Sequence, residues 1–228
     1  MVEISNQYNL ILRDYNFSDY EVLEQIFNFR EYDVVLKMML LNFEHLKSPV
    51  IIDAGANVGY TSLFFSNYFK DLRIFAIEPS FSNVEIYRQN INFFKNNTAT
   101  KLYHRALSHK SSLTFTVERN FRDRKDWSIT TKEDVKGEVK GITIDDILKE
   151  NSLEYISLLK IDVEGAERFL FTNNNDLSFL KNTKIVAIEI HDEYNCRIEI
   201  ENILRRKGFF LFESGELTIG INKILFND

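Results

Sequence analysis

The chain has 228 residues, 44% of them apolar, enough to bury one ordinary core plus a short extension. A formal charge of -6 excludes bulk electrostatic attraction to nucleic acid or an anionic membrane. Cys196 is the single cysteine, which excludes an intrachain disulfide, and its neighbours Asn195 and Arg197 offer no metal-ligand spacing. Met1 to Asp14 already contain Glu3, Arg13 and Asp14 without a long apolar run, so neither a signal peptide nor a spanning helix is expected, and a cytoplasmic location is.

Between Glu21 and Leu46 apolar residues recur at helical intervals with no Gly or Pro, predicting one long helix or two short ones. Residues 1–48 are therefore expected to form a helical extension, with core packing, an acceptor lid or a dimer contact as its roles. Pro49 ends it and Val50 to Ile52 start the first strand, followed by a helix over Thr61 to Phe69. Arg73 to Ile77 reads as a second strand ending at Glu78-Pro79. Ser82 and Glu85 have capping-box spacing for a helix running to about Asn96. Leu102 to Leu107 is predicted as a third strand and Leu113 to Val117 as an edge strand, before a charged, irregular stretch from Glu118 to Gly141. A short helix over Ile142 to Lys149 leads to strand Ile156 to Ile161, which only Lys160 interrupts. A helix beginning near Glu164, strand Ile185 to Ile190, a helix over Tyr194 to Lys207 and a hairpin of Phe209 to Phe212 with Leu217 to Leu225 complete the chain. The alternation predicts an α/β fold, a doubly wound and mostly parallel sheet with a C-terminal antiparallel hairpin. In such sheets ligands sit outside the carboxyl ends of the strands, where the strand order reverses.

Three strand ends carry a consistent set of residues. Asp53, Gly55, Asn57 and Gly59 follow the first strand, and Glu78 ends the second about 20 residues on, the distance at which an acid grips ribose hydroxyls. Arg105-Ala106-Leu107 ends the third. A dinucleotide loop would read G-x-G-x-x-G and seat a pyrophosphate, but here Asn57 and Tyr60 break that spacing and Asp53 adds negative charge. Such a loop suits the cationic amino-acid portion of S-adenosylmethionine better than a pyrophosphate.

The blocks I-I-D-A-G-A-N-V-G-Y-T-S, F-A-I-E-P-S-F-S-N, L-L-K-I-D-V-E-G-A-E and V-A-I-E-I-H, spread over Val50 to His191, resemble the FkbM-type S-adenosylmethionine-dependent methyltransferases. The resemblance implies a Rossmann-like, seven-stranded class I methyltransferase domain over residues 49–228. It also implies that the amino-acid part of the cofactor lies over Asp53, Gly55, Ala56 and Asn57, with Gly59 and Thr61 completing the loop. Glu78 and Pro79 would hold ribose, Asn83 and Ala106 would border adenine, and Asp162 would lie beside the donor. Asn57 replaces the second glycine of the commoner loop, a change that the left-handed tolerance of asparagine permits.

Methyl transfer to an alcohol needs an aligned acceptor oxygen and a group that removes its proton. Strand alternation puts Lys160, Asp162 and Glu164 on one face, and Glu189 with His191 repeats the pattern on the next strand. His191, Glu164 and Asp162 are the candidate catalytic residues, with His191 as general base and Glu164 as its rival. Lys160 and Glu189 read equally as catalytic groups or as a structural ion pair. A competing arrangement makes Asp162, Glu164, Glu189 and His191 ligands of a divalent ion, but no obligatory metal is expected.

Glu118 to Trp127 holds Arg119, Arg122, Arg124 and Lys125, nearly balanced by Glu118, Asp123 and Asp126. It reads as a solvated loop, against a competing phosphate-binding and sugar-stacking role. The acceptor follows from the resemblance alone: a sugar hydroxyl of a surface glycan or of a nucleotide- or lipid-linked sugar. A polyketide-type hydroxyl, an amine, and a non-catalytic cofactor-binding module are the alternatives, and a homodimer is a further expectation.

Overall fold

A computed structural model of the protein describes residues 2–4, 8–14, 18–43, 48–118 and 130–225. Val2–Ile4 (β1) and Tyr8–Leu10 (β2) pair antiparallel. The region expected to hold one long helix or two short ones holds two. Asp19–Leu23 (α1) widens into a π turn at Glu24–Asn28, Arg30 reverses the chain with φ 57°, and Asp33–Phe43 (α2) follows. The expected continuation to Leu46 and the basic stretch Arg119 to Trp127 lie outside the described residues.

Val50–Ala54 (β3), Tyr60–Ser66 (α3), Arg73–Glu78 (β4), Phe81–Asn90 (α4) and Ala99–His104 (β5) make the first half of the main unit. Ala106–Leu107 (β6), Thr114–Glu118 (β7), Thr130–Glu133 (β8) and Val139–Ile142 (β9) form a small separate sheet of order β6-β9-β7-β8. Ile144–Glu150 (α5), Ile156–Ile161 (β10), Glu167–Leu170 (α6), Thr183–Glu189 (β11), Arg197–Arg206 (α7), Phe209–Ser214 (β12) and Leu217–Asn222 (β13) complete the fold. The main sheet has seven strands in the order β12-β13-β11-β10-β3-β4-β5, parallel from β11 to β5 and antiparallel where β13 joins. Its order reverses between β3 and β10, which places the ligand crevice at their carboxyl ends.

Two local expectations are corrected. The third strand splits, because the Arg105 N–H donates to the Tyr103 carbonyl at 2.9 Å and this tight turn bends Ala106–Leu107 out of the main sheet onto β9. No capping box forms at Ser82, since α4 already begins at Phe81 after an extended Ser80, and Glu85 pairs with Arg88 on the surface. The box forms instead at α5. There Thr143 Oγ1 accepts from the Asp146 N–H at 3.0 Å, and Asp146 Oδ2 accepts from the Thr143 N–H at 3.1 Å.

Alternate residues of each central strand enter opposite apolar layers. Ile52, Ile77, Leu159 and Ile188 face α5 and α7, together with buried Cys196. Ile51, Ile74, Leu158 and Ile185 face α3 and α4, whose Leu63, Phe64, Phe65 and Tyr87 are almost fully buried. Leu10, Leu23, Ile26, Tyr32, Val35, Leu36 and Met39 belong to this second layer, so the N-terminal segment is part of the core. Among the described residues no helix is long and apolar enough to cross a membrane.

Candidate active site

The strand register determines the floor of the crevice. Asp53 lies opposite Lys160 across β3 and β10, so their side chains share a face. Lys160 Nζ donates to the Gly55 carbonyl at 2.7 Å and stands 3.4 Å from Asp53 Oδ1 and 3.5 Å from Asp162 Oδ2. Burial alone would push the Lys160 ammonium down, but Asp162 and Asp53 outweigh it, so the group is held up and charged. The anticipated Lys160–Glu189 pair is replaced by these contacts, because Lys160 faces Ala187 on β11, two residues short of Glu189.

The loop above this floor needs left-handed backbone, with Gly55 at φ 75°, Asn57 at φ 48° and Gly59 at φ 91°. A Cβ on Gly55 would sit 1.6 Å from the Asp162 carbonyl oxygen, so the loop lies directly on the end of β10. Gly59 serves packing, since a Cβ there would come within 2.8 Å of the Tyr87 ring. Glu78, 4% exposed, accepts from the Asn57 N–H at 2.9 Å, the Ser80 N–H at 2.8 Å and Asn83 Nδ2 at 3.3 Å. Burial pushes its carboxyl up to about 7 despite these donors.

A cavity of about 420 Å³ opens over the loop. Of the residues expected to hold a cofactor, Gly55, Ala56, Asn57, Thr61, Glu78, Pro79, Asn83, Ala106 and Asp162 line it. Asp53 and Gly59 do not. Asp53 is fully buried below the loop, where Oδ2 accepts from Ser62 Oγ at 2.6 Å and Ser62 in turn accepts from the Tyr87 hydroxyl at 2.8 Å. It therefore anchors the loop from beneath. Lining residues missed by sequence reasoning include Gln25, Glu31 and Tyr32 from the N-terminal segment, Thr131 from the small sheet and Glu216 from the terminal hairpin. They belong to elements remote in sequence, and no local pattern marks them.

The far wall is acidic. Glu164 lines the cavity at φ 50°, turned out of the strand alternation that keeps Lys160 beside Asp162. Glu167 is fully buried, and its Oε2 accepts from the Gly165 N–H at 3.0 Å while Oε1 receives both the backbone N–H and the Nδ1 of His191 at 3.0 Å. His191 Nε2 then lies 3.3 Å from Glu164 Oε2 and 3.7 Å from Glu189 Oε1. Burial would push the imidazole down, but Glu164 and Glu167 outweigh it and raise it to about 11. A ring held as a cation has no lone pair for a proton, which counts against the general-base role expected at His191. Repulsion from Asp162, followed by burial, drives Glu189 up to about 9, and burial drives Glu31 up to about 7. This wall accommodates added positive charge.

The strand order, the loop under the cavity and the acid on β4 together define a class I methyltransferase, an enzyme class with S-adenosylmethionine as methyl donor. In fold the chain is similar to the magnesium protoporphyrin IX methyltransferase ChlM from Synechocystis PCC 6803, solved with bound S-adenosylmethionine. The TM-score is 0.51 at 11% identity, covering 96% of this chain and 88% of that one. A family model described as the methyltransferase FkbM domain matches residues 53–211, and the chain belongs to that family. It is 28% identical to methyltransferase sdnD of Sordaria araneosa, with 71% of this chain and 74% of that protein covered. With 31-O-demethyl-FK506 methyltransferase FkbM of Streptomyces tacrolimicus it shares 24% identity over 70% of this chain and 72% of the relative.

The residues present fit the donor that the family implies. Asn57 Oδ1 is a buried acceptor without a hydrogen-bond partner at the cavity, and Glu78 is a second acceptor lining it. Acceptors of this kind suit ammonium and ribose hydroxyl donors and repel a pyrophosphate.

Proposed function

We propose that the protein is an O-methyltransferase acting on a hydroxyl of a carbohydrate, either a surface glycan or a nucleotide- or lipid-linked sugar. The observation that carries this reading is the carboxylate wall of Asp162, Glu164 and Glu189, which opens on the same cavity as the glycine-asparagine loop. When bound, S-adenosylmethionine supplies an electrophilic methyl group on a positively charged sulfur. Asn57 and Glu78 hold the donor, with Asn83 and Ala106 at its nucleoside end. Asp162, Glu164 and Glu189 orient the acceptor and Glu164 takes up the hydroxyl proton as the oxygen is methylated, while Lys160 and His191 balance the charge of the wall. An oxygen acceptor is supported by the Streptomyces relative, whose name specifies a 31-O-demethyl substrate. A sugar is supported by the polar wall, to which Gln25 and Thr131 add neutral hydrogen-bonding groups. On this reading the N-terminal segment is a fixed side of the acceptor pocket, and its exposed Tyr20, Phe29 and Leu41 support a contact between two copies of a protein working in the cytoplasm.

Calorimetry with S-adenosylhomocysteine, paired with transfer of a labelled methyl group to a glycan pool and mass spectrometry of the product, tests this reading. Glu164→Gln is expected to lower kcat by about 10²- to 10⁴-fold while still binding S-adenosylhomocysteine. Labelled amines with unlabelled sugars would replace the proposed acceptor, and binding without transfer to any pool would make the protein a non-catalytic module.

A further inference from the structure

We infer that Asp162, Glu164 and His191 form a binding site for a divalent cation on the acceptor wall. The use of that cation in methyl transfer rests on the reading above, but its binding does not.

One oxygen from Asp162, one from Glu164 and a ring nitrogen of His191 lie within 4.8 Å of one another. Ligands at about 2.0–2.2 Å from a divalent ion stand roughly 3–4 Å apart, and the 3.3 Å between Glu164 Oε2 and His191 Nε2 falls in that range. The independent observation is the histidine. Its residue is 3% exposed, and Nε2, which makes no hydrogen bond, faces the carboxylates with Glu164 Oε2 at 3.3 Å, so a bound cation takes the place of the ring proton there. The ring cannot turn to satisfy that atom elsewhere, because Glu167 Oε1 holds both its Nδ1 and its backbone N–H at 3.0 Å. A buried carboxylate behind one ring nitrogen, with the other nitrogen presented to oxygen ligands, is the outer-shell arrangement that orients a metal-binding imidazole. Glu167 is itself fully buried and tied to the Gly165 N–H, so this orientation is built into the turn between β10 and α6.

Two carboxylates and one imidazole suit a hard ion that also takes a nitrogen ligand, of the Mn²⁺ type, better than a soft one. On the acceptor wall such an ion would bind the reacting hydroxyl, and a vicinal hydroxyl where the sugar has one, and make the first more acidic. The hydroxyl proton is released to solvent while the acceptor oxygen gains the methyl group and the methyl-sulfur bond breaks.

The test is a titration of the whole protein with Mn²⁺ alone, read by loss of the free-ion electron paramagnetic resonance signal. Binding of one Mn²⁺ is expected, weakened by at least about tenfold in Glu164→Gln and in His191→Gln and unchanged in Glu201→Gln on α7. Glu164→Gln is nearly isosteric and partly exposed, so it decides the matter if His191→Gln fails to fold. No binding by the native protein, or equal binding in native protein and Glu164→Gln, overturns the site. Calorimetry with S-adenosylhomocysteine on the same samples separates the two readings: Mn²⁺ binding lost in Glu164→Gln, without any S-adenosylhomocysteine binding, upholds the site and removes the methyl-transfer reading.

Discussion

Glu78 shows how one buried carboxylate ties the loop to the strand beside it. Two backbone N–H groups and Asn83 point at it, and its own burial works against ionisation. Its folded-state value of about 7 lies above the ordinary 4.5, so the folded state binds its proton more tightly than the unfolded chain does. The sign follows: this residue takes nothing from stability below pH 4.5, withdraws stability as pH rises from 4.5 to 7, and has no further effect above that. The shift corresponds to an upper bound of about 3 kcal/mol. Glu78→Gln is expected to flatten this part of the profile, so urea melts at pH 5 and pH 8 should differ less in the variant than in the native protein. A ligand whose hydroxyls donate to the ionised form should bind the native protein more tightly above pH 7.

At the scale of elements, the N-terminal segment is latched to the cofactor end of the sheet by side chains. Ile11 donates its N–H to Asn90 Oδ1 at 2.7 Å, and its carbonyl accepts from the Tyr60 hydroxyl at 2.7 Å. Arg13 bridges Asp19, at 2.6 Å, and Asn83 Oδ1, at 3.0 Å, and Asn83 reaches Glu78. Asp19 is fully buried, so Arg13→Met leaves a carboxylate without its cation and is expected to cost about 3–5 kcal/mol in urea unfolding. The same variant releases Asn83 and should weaken S-adenosylhomocysteine binding in calorimetry. A segment attached only as a loose lid would show neither effect.

For the molecule as a whole, the division between an N-terminal extension and a catalytic domain is a division of sequence rather than of core. Seven apolar side chains from Leu10 to Met39 lie in the layer that also holds Phe64, Phe65 and Tyr87. Each fully buried side chain of this size contributes about 1.5–3 kcal/mol, so deleting residues 1–48 removes an amount comparable to the whole stability of a domain. The truncated chain is therefore expected to lose its cooperative thermal transition, as followed by circular dichroism, whereas removal of a mere lid would leave the melting temperature almost unchanged.

The central strands, the loop from Asp53 to Gly59 and the acid at Glu78 were legible because each rests on contiguous residues: apolar runs long enough for a buried strand, and small residues where the backbone must turn left-handed. Asn57 at φ 48° is the clearest case, a conformation that its side chain tolerates and its position in the motif required. What the sequence could not decide is which side chains meet. Lys160 was visible as an ion in an apolar strand, but only the parallel register gave it Asp53 and Asp162 in place of Glu189. His191 was visible as a titratable group at a strand end, but only the fold set Glu164 and Glu167 on either side of its ring. Glu31 and Glu216 reach the cavity from opposite ends of the chain. Local pattern therefore determined the fold and the donor end of the site, because both follow from neighbouring residues. The chemistry of the acceptor end depends on charges brought together across long sequence separations, and only the tertiary structure sets their distances.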